Sequence, residues 1–193
     1  MFKRFKSKNK TWIPFAKAVG GEFVKSRYFG VGSIELTHNK INVKVSVQLD
    51  ENGGRMTSVS SILNSLFLER HPTFFLSKSW PMQFLAKAFF NVIPTGNKPL
   101  ENLGIKGDGF YLASHPALAE SLFATKDARL TVDRLPRVSV AIGNDRLFWR
   151  KNNLELKVSV PHFVADETEF LNLVRLQTLL LDALSQGNQC FAS

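Results

Sequence analysis

The clearest pattern in this chain is a strict alternation of apolar and polar residues between positions 41 and 49. The apolar positions are Ile41, Val43, Val45, Val47 and Leu49, and Asn42, Lys44, Ser46 and Gln48 lie between them. Successive side chains of a strand point to opposite faces, so the alternation predicts a strand with one buried face and one face in water. Residues 33–37 should form a neighbouring strand across a turn at His38-Asn39, and residues 55–60 should return after a glycine-rich turn. Together they predict an antiparallel sheet with one solvated face.

Helical spacing marks two short segments. In the first, the apolar residues are Trp12, Phe15, Ala16 and Val19. Thr11 can cap this helix, and Gly20-Gly21 supplies the left-handed conformation that ends it. Ser114 is predicted to cap a second helix, from His115 to about Ala124, with Pro116 in its first turn.

Two longer segments are more apolar and should form the main helices. Residues 79–93 begin at Ser79 and keep only a narrow polar stripe, which predicts a mostly buried helix. Residues 166–186 begin with three acidic residues, where negative charge favours a helix start, and Gly187 should end them. The expected fold class is therefore α+β, with an antiparallel sheet or sheets packed against these two long apolar helices.

The second half of the chain contains further short strands. Segments 110–113, 137–142, 146–150 and 154–160 are predicted strands, and the short turns between the last three predict a meander. Residues 94–109 are rich in Gly and Pro and are the best candidate for a sub-division of the domain. Each half thus consists of strands that end in one long apolar helix. The order of elements leaves open whether the fold has two similar halves.

Composition narrows the class of protein without naming a function. A chain of 193 residues with 44% hydrophobic residues can bury a sufficient core without a disulfide or metal. We expect residues 11–193 to form a single α+β domain, as a monomer or a weak homo-oligomer. Cys190 is the only cysteine, which excludes an internal disulfide and a cysteine-rich metal site and favours a cytoplasmic location. No segment is apolar and long enough to predict a membrane-spanning helix.

Positive charge is concentrated at the amino end. Residues 1–100 contain 15 Lys and Arg against 5 Asp and Glu, whereas the rest of the chain is nearly balanced. The first ten residues form a predicted basic flexible tail, whose cations are Lys3, Arg4, Lys6, Lys8 and Lys10. Such a tail can contact an anionic membrane surface, with Phe2 and Phe5 as shallow apolar contacts, or it can simply maintain solubility.

Candidate catalytic chemistry is sparse. The histidines His38, His71, His115 and His162 have no second ligand at metal-binding spacing, and we expect no cofactor. Asp108, Ser114 and His115 are the nearest approach to a catalytic group, although Ser114 is more simply a helix cap. Basic and aromatic residues interleave only at 146–150, so nucleic acid is an unlikely partner.

Several short stretches resemble a set of uncharacterised bacterial cytosolic proteins. They are Trp12, Ala16 and Gly20-Gly21-Glu22-Phe23; Arg55-Met56-Thr57-Ser58-Val59; Gly107-Asp108-Gly109-Phe110 with Ser114-His115-Pro116, Ala119 and Leu122; and Asn144-Asp145-Arg146-Leu147 with the closing leucine helix. The resemblance spans residues 11 to 186 and rests on hydrophobic spacing and turn residues. It implies an α+β fold of unknown function and carries over no functional residue.

The leading functional hypothesis is a non-enzymatic binding or protein-interaction module. Its partner surface would be the polar face of the sheet or the 94–109 loop. The alternatives are peripheral attachment to an anionic membrane through the basic tail, and an enzyme with a site around Asp108 and His115.

Overall fold

A computed structural model describes residues 2–26, 31–49, 54–63, 73–78, 98–144 and 154–191. Within these ranges four helices and nine strands form an α+β fold, as the sequence predicts. The strands are β1 (Glu22–Val24), β2 (Ser33–His38), β3 (Ile41–Leu49), β4 (Arg55–Leu63), β5 (Phe74–Ser77), β6 (Lys98–Pro99), β7 (Phe110–Ala113), β8 (Ser139–Asn144) and β9 (Leu154–Val160). The helices are α1 (Phe2–Ala18), α2 (Pro116–Leu122), α3 (Lys126–Arg134) and α4 (Glu167–Phe191), and a 3-10 helix covers Leu100–Leu103.

The strands form one antiparallel sheet in the order β1-β2-β3-β4-β9-β8-β5-β7-β6. The first four strands follow each other as in the sequence, whereas β5 lies between β8 and β7. The sheet is therefore continuous across the predicted sub-division at 94–109, and its two ends differ in strand order. The division of the chain into a tail and a domain stays a prediction.

All four described helices contribute to one hydrophobic core on one face of the sheet. The sheet supplies an apolar row in register, Val45, Val59, Val158, Val140 and Leu76, and each of these residues is fully buried. Helix α4 packs Leu173, Leu176 and Leu180 into the same core. The predicted helix at 79–93 lies outside the described residues.

Helix α1 is longer than the sequence pattern predicts, because it begins at Phe2 and includes Thr11. Thr11 therefore does not cap it. The predicted end is confirmed, since Gly20 has φ +68° and the amide of Gly21 donates to the carbonyl of Ala16 at 2.8 Å. Pro14 lies inside the helix on its exposed side and lacks the amide that would bond the preceding turn.

The first hairpin confirms the alternation prediction. Strands β2 and β3 pair from Ile34↔Val45 to His38↔Ile41, and β3 pairs with β4 from Val43↔Ser61 to Leu49↔Arg55. The turn lies one residue later than predicted, at Asn39 and Lys40, whose φ angles are +48° and +67°. Two positive φ angles are typical of the type I′ turn that fits the twist of a hairpin.

Three predictions in the second half are wrong, and one helix was missed. His115, not Ser114, is the N-cap of α2, because the Ser114 hydroxyl accepts from the amide of Thr73 at 3.1 Å. Strands β8 and β9 pair directly, which contradicts the predicted three-strand meander, and the predicted strand at 146–150 lies outside the described residues. Gly187 lies inside α4, so it does not end that helix. Helix α3 was not predicted, although Thr125 caps it with a hydrogen bond to the amide of Ala128.

Candidate binding surface

The face of the sheet opposite to the helices, here called the outer face, is polar over β2, β3, β4 and β9. Its side chains there include Glu35, Thr37, Asn42, Lys44, Ser46, Gln48, Met56, Ser58, Ser60, Ile62, Glu155, Lys157 and Ser159. Glu35 and Lys44 form an ion pair at 3.0 Å, and their side chains are 51% and 54% exposed. Asn42 and Gln48 are also exposed, so the predicted solvated face of this strand is confirmed.

A row of five serines crosses the outer face, one from each of five adjacent strands. Its members are Ser46 on β3, Ser58 on β4, Ser159 on β9, Ser139 on β8 and Ser77 on β5, paired in that order. Neighbouring strands lie about 4.8 Å apart, so this serine row is about 19 Å long. Serine side chains are shorter than those of Gln48, Met56 and Lys157 beside them, and we call the low strip that they form the channel; four of its five serines are buried.

Ser58 is the second member of the serine row from its β3 end, and its hydroxyl is unsatisfied. The residue is 0% exposed, and its Oγ has no hydrogen-bond partner among the described residues. In contrast, Ser139 and Ser159 bond to each other through their hydroxyls at 2.9 Å. An unpaired buried hydroxyl costs about 1–3 kcal/mol, so Ser58 is a site where the fold retains a donor that it does not use.

The side chains of Lys157 and Gln48 cross strand β4 directly above Ser58. The ammonium of Lys157 donates to the Gln48 side-chain carbonyl at 2.7 Å. Lys157 on β9 is level with Ser60, and Gln48 on β3 is level with Met56, so the midpoint between them lies over Ser58. The hydrogen bond is exposed to solvent and contributes little to stability, because water competes for both groups.

A second lysine lies on the other side of the same position. Ser60 on β4 is paired with Lys44 on one neighbouring strand and with Lys157 on the other. Two ammonium groups therefore flank the strand that carries Ser58 and Ser60. The carboxylate of Glu35 balances Lys44, and Glu155 lies two residues from Lys157 on the same face.

The other end of the outer face is apolar and buried. Phe75, Phe110 and Leu112 form a small cluster with Ala141 packed against it, and the rings of Phe75 and Phe110 lie 5.8 Å apart. The outer face thus changes along the sheet from solvated charges and hydroxyls at β2 to buried apolar side chains at β7.

The predicted membrane contacts lie on helix α1. Lys3, Arg4, Lys6 and Lys8 belong to its first part, and Lys10 is exposed. At 3.6 residues per turn, the exposed Lys10 and Lys17 follow one side of the helix. The opposite side carries Trp12 and Ala16, which are buried in the core.

The structure does not bring Asp108 and His115 together. They flank β7 at its two ends, and the four residues of that strand alone span about 10 Å. Both side chains are exposed, and Ser114 is bonded to Thr73. The proposed enzyme site around Asp108 and His115 therefore gains no support from the geometry.

The remaining described histidines join separate elements of the fold. His38 bonds Asp182 of α4 at 2.7 Å, and Asn39 donates to the same carboxylate oxygen at 2.8 Å. His162 pairs with Glu169 at 2.9 Å in the first turn of α4. Across the described ranges, no three His, Cys, Asp or Glu side chains lie close enough together to hold a metal ion. His71 and residues 146–150 lie outside the described residues.

Lys78, at the end of β5, is the cation with the most altered environment. Burial lowers the pKa of its ammonium group, and the nearby carboxylate of Asp133 partly offsets that effect. The ammonium donates to the carbonyl of Val132 at 3.2 Å, in the last turn of α3. This contact joins a strand end to a helix end, where a cation is favourable, and indicates a structural role.

No protein-family model matches the chain, and a search of curated proteins finds no match. Among the described residues, no helix combines the length and the apolar character needed to cross a membrane. The sequence pattern predicted the polar face but not the serine row. The serine row combines strands from both halves of the chain. It could have been found from the sequence only by testing every order and register of the predicted strands for aligned serines.

Proposed function

We propose that this protein is a non-enzymatic binding module whose partner lies on the outer face of β2, β3, β4 and β9. One observation carries the proposal: the described helices all pack on one face of a broad sheet, and the other face presents exposed charges around a channel of hydroxyls. A buried donor without a partner at Ser58 supports it, because folded proteins rarely retain such groups without a use. We include the cytoplasmic location favoured by the lone Cys190 in this proposal.

The ends of the sheet are less suited to binding than its face. Strand β1 has three residues at one edge, and β6 has two at the other, one of them Pro99, which has no amide to donate. Short edges and proline disfavour the addition of a partner strand. The exposed Ile62, at 53%, adds an apolar contact to the otherwise polar outer face.

Bulky substitutions on the outer face should abolish binding without unfolding the protein. Ser60 is half-buried on that face, so Ser60→Leu would fill the channel beside Ser58 with an uncharged side chain. A diverse set of small polar ligands can be screened by two-dimensional NMR of the labelled protein. We expect ligands to shift amides of β3, β4 and β9, and we expect Ser60→Leu to weaken their binding at least about tenfold, which is about 1.4 kcal/mol.

The matched control is Ser185→Leu, on the exposed side of α4. It makes the same chemical change on the helical layer and should leave ligand affinities unchanged. Ligand shifts confined to the helices would contradict the proposal. Turnover of a substrate that a single alanine substitution abolishes would contradict it as well.

A second candidate function is attachment to an anionic membrane through the first part of α1. The observation that favours it is the concentration of basic residues in the first part of that helix, which are Lys3, Arg4, Lys6, Lys8 and Lys10. Each basic residue near an anionic surface adds about 1 kcal/mol of attraction. Vesicles with anionic lipid should therefore sediment the protein, and replacing Lys3, Lys6 and Lys10 by Gln should release most of it.

Vesicles of neutral lipid provide the control for that experiment. Equal recovery of the wild type and the triple variant in the supernatant, with anionic vesicles present, would rule out this role. Salt should weaken the attachment, since exposed charges are screened within about 8 Å at physiological ionic strength.

A further inference from the structure

We infer that the outer face binds a phosphate-type anion at Ser58, under the position now covered by Lys157 and Gln48. This assignment rests on the proposed function and names the ligand chemistry of the same surface. The decisive feature is the Ser58 hydroxyl, which is buried, lies on the outer face and has no partner among the described residues.

The donors around Ser58 suit a tetrahedral oxyanion. Ser46 and Ser58 are directly paired across β3 and β4, so their Cβ atoms lie about 5 Å apart and both hydroxyls can reach one anion between them. Ser60 is two residues along β4 on the same face and can donate from a third direction. Hydrogen bonds from hydroxyls to an ionised acceptor are about twice as strong as those to a neutral one.

Lys157 supplies the charge in this arrangement. Its ammonium already lies over β4, where it donates to a neutral amide oxygen of Gln48 at 2.7 Å. An anion in the channel would replace that amide as the acceptor, and the exchange of a neutral acceptor for a charged one favours binding. Lys44 approaches from the other side of Ser60, although Glu35 shares its charge. The carboxylates of Glu35 and Glu155 repel an anion, so we expect a soluble phosphate to bind weakly.

Titration of the labelled full-length protein with inorganic phosphate at constant ionic strength tests the assignment. We expect the amide signals of Ser46, Ser58, Ser60 and Lys157 to shift together with one dissociation constant. Ser58→Ala should raise that constant about tenfold, because a hydrogen bond to a charged group is lost. Lys157→Met should raise it by at least the same factor. Ser185→Ala on α4 should leave it unchanged.

Two further measurements separate binding from folding. Ser58→Ala should raise the melting temperature of the phosphate-free protein, since it removes an unpaired buried hydroxyl. Gln48→Ala removes the neutral amide acceptor of Lys157, and this variant should bind phosphate at least as tightly as the wild type. If Ser58→Ala binds phosphate like the wild type, or if the shifts lie outside β3, β4 and β9, the anion assignment is wrong.

The source of the phosphate group is distinguished in the same experiment. Glycerol phosphate in solution and vesicles containing phosphatidic acid present the same group free and on a lipid surface. If Ser58→Ala weakens binding to only one of these two ligands, that ligand identifies the source of the phosphate group. A ligand that binds the outer face but is indifferent to Ser58→Ala and to phosphate overturns the anion assignment alone. Failure of every ligand to shift the outer face overturns the proposed function as well.

Discussion

Replacing Trp12 with Ala is expected to lower the free energy of unfolding by about 3–5 kcal/mol, the usual cost of removing a large buried aromatic side chain. Trp12 is 0% exposed, and its ring stacks on Phe163 at 5.6 Å and contacts Phe170 at 6.0 Å. Its indole Nε1 also donates to the carbonyl of Val164 at 3.0 Å. The substitution therefore leaves a cavity between α1 and α4 and an unpaired buried carbonyl.

Equilibrium unfolding in urea measures the decrease in the free energy of unfolding, and two further variants serve as comparisons. Ile13→Ala changes the next residue, which is 41% exposed, and should cost less than about 1 kcal/mol. Trp12→Phe keeps an aromatic ring but not the donor to Val164, so its loss of stability should lie between those of Trp12→Ala and Ile13→Ala. A Trp12→Ala protein as stable as Ile13→Ala would mean that α1 does not dock on the core as the structure describes.

Replacing Gly109 with Ala should destabilise the protein by about 3 kcal/mol, through overpacking and backbone strain of about 1–3 kcal/mol each. An added Cβ would lie 2.3 Å from the carbonyl oxygen of Ser77 and 2.7 Å from Leu100 Cδ1, and φ at this glycine is +156°. Leu100 can rotate, but the Ser77 carbonyl belongs to the β5 backbone. The pairing of Ser77 with Phe110 must therefore shift.

Gly20→Ala isolates the contribution of backbone conformation. Gly20 has φ +68° with no atom within 4 Å of an added Cβ, so the substitution introduces strain without a clash. It should cost about 1 kcal/mol. Thermal and urea unfolding of both variants provide the comparison. Equal losses for Gly109→Ala and Gly20→Ala would show that the backbones near Gly109 are less tightly packed than described.

The proposed binding surface and the contacts that stabilise the fold lie on opposite faces of the sheet. On the helical face, hydrogen bonds connect α1, the segment before α4 and strand β4. The indole of Trp12 donates to the carbonyl of Val164. Thr57 donates to the carbonyl of His162 at 2.8 Å and accepts from the amide of Val164 at 3.0 Å. The serine row uses the opposite face of the same strand. Substitutions at Ser58 and Ser60 can therefore alter binding while the core remains intact.

The candidate site could be predicted only in part. The alternation from Ile41 to Leu49 correctly indicated a polar face, because each residue's side of a strand follows from its position alone. Ser46 and Ser58 pair within a local hairpin, but the alignment of Ser159 with them depends on the pairing of β4 with β9, which lies about a hundred residues further along the chain. The position of Lys157 over β4 depends on the same pairing.

The sequence by itself determined the α+β class, the first hairpin, the end of α1 at Gly20 and strand β7. Each follows from local patterns of apolar spacing and turn chemistry, which act within a few residues. Only the tertiary structure decided that β5 lies between β8 and β7, that β8 pairs directly with β9, and that Gly187 continues a helix. Strand order and register are set by burial summed over distant segments, so no local window of the chain contains them.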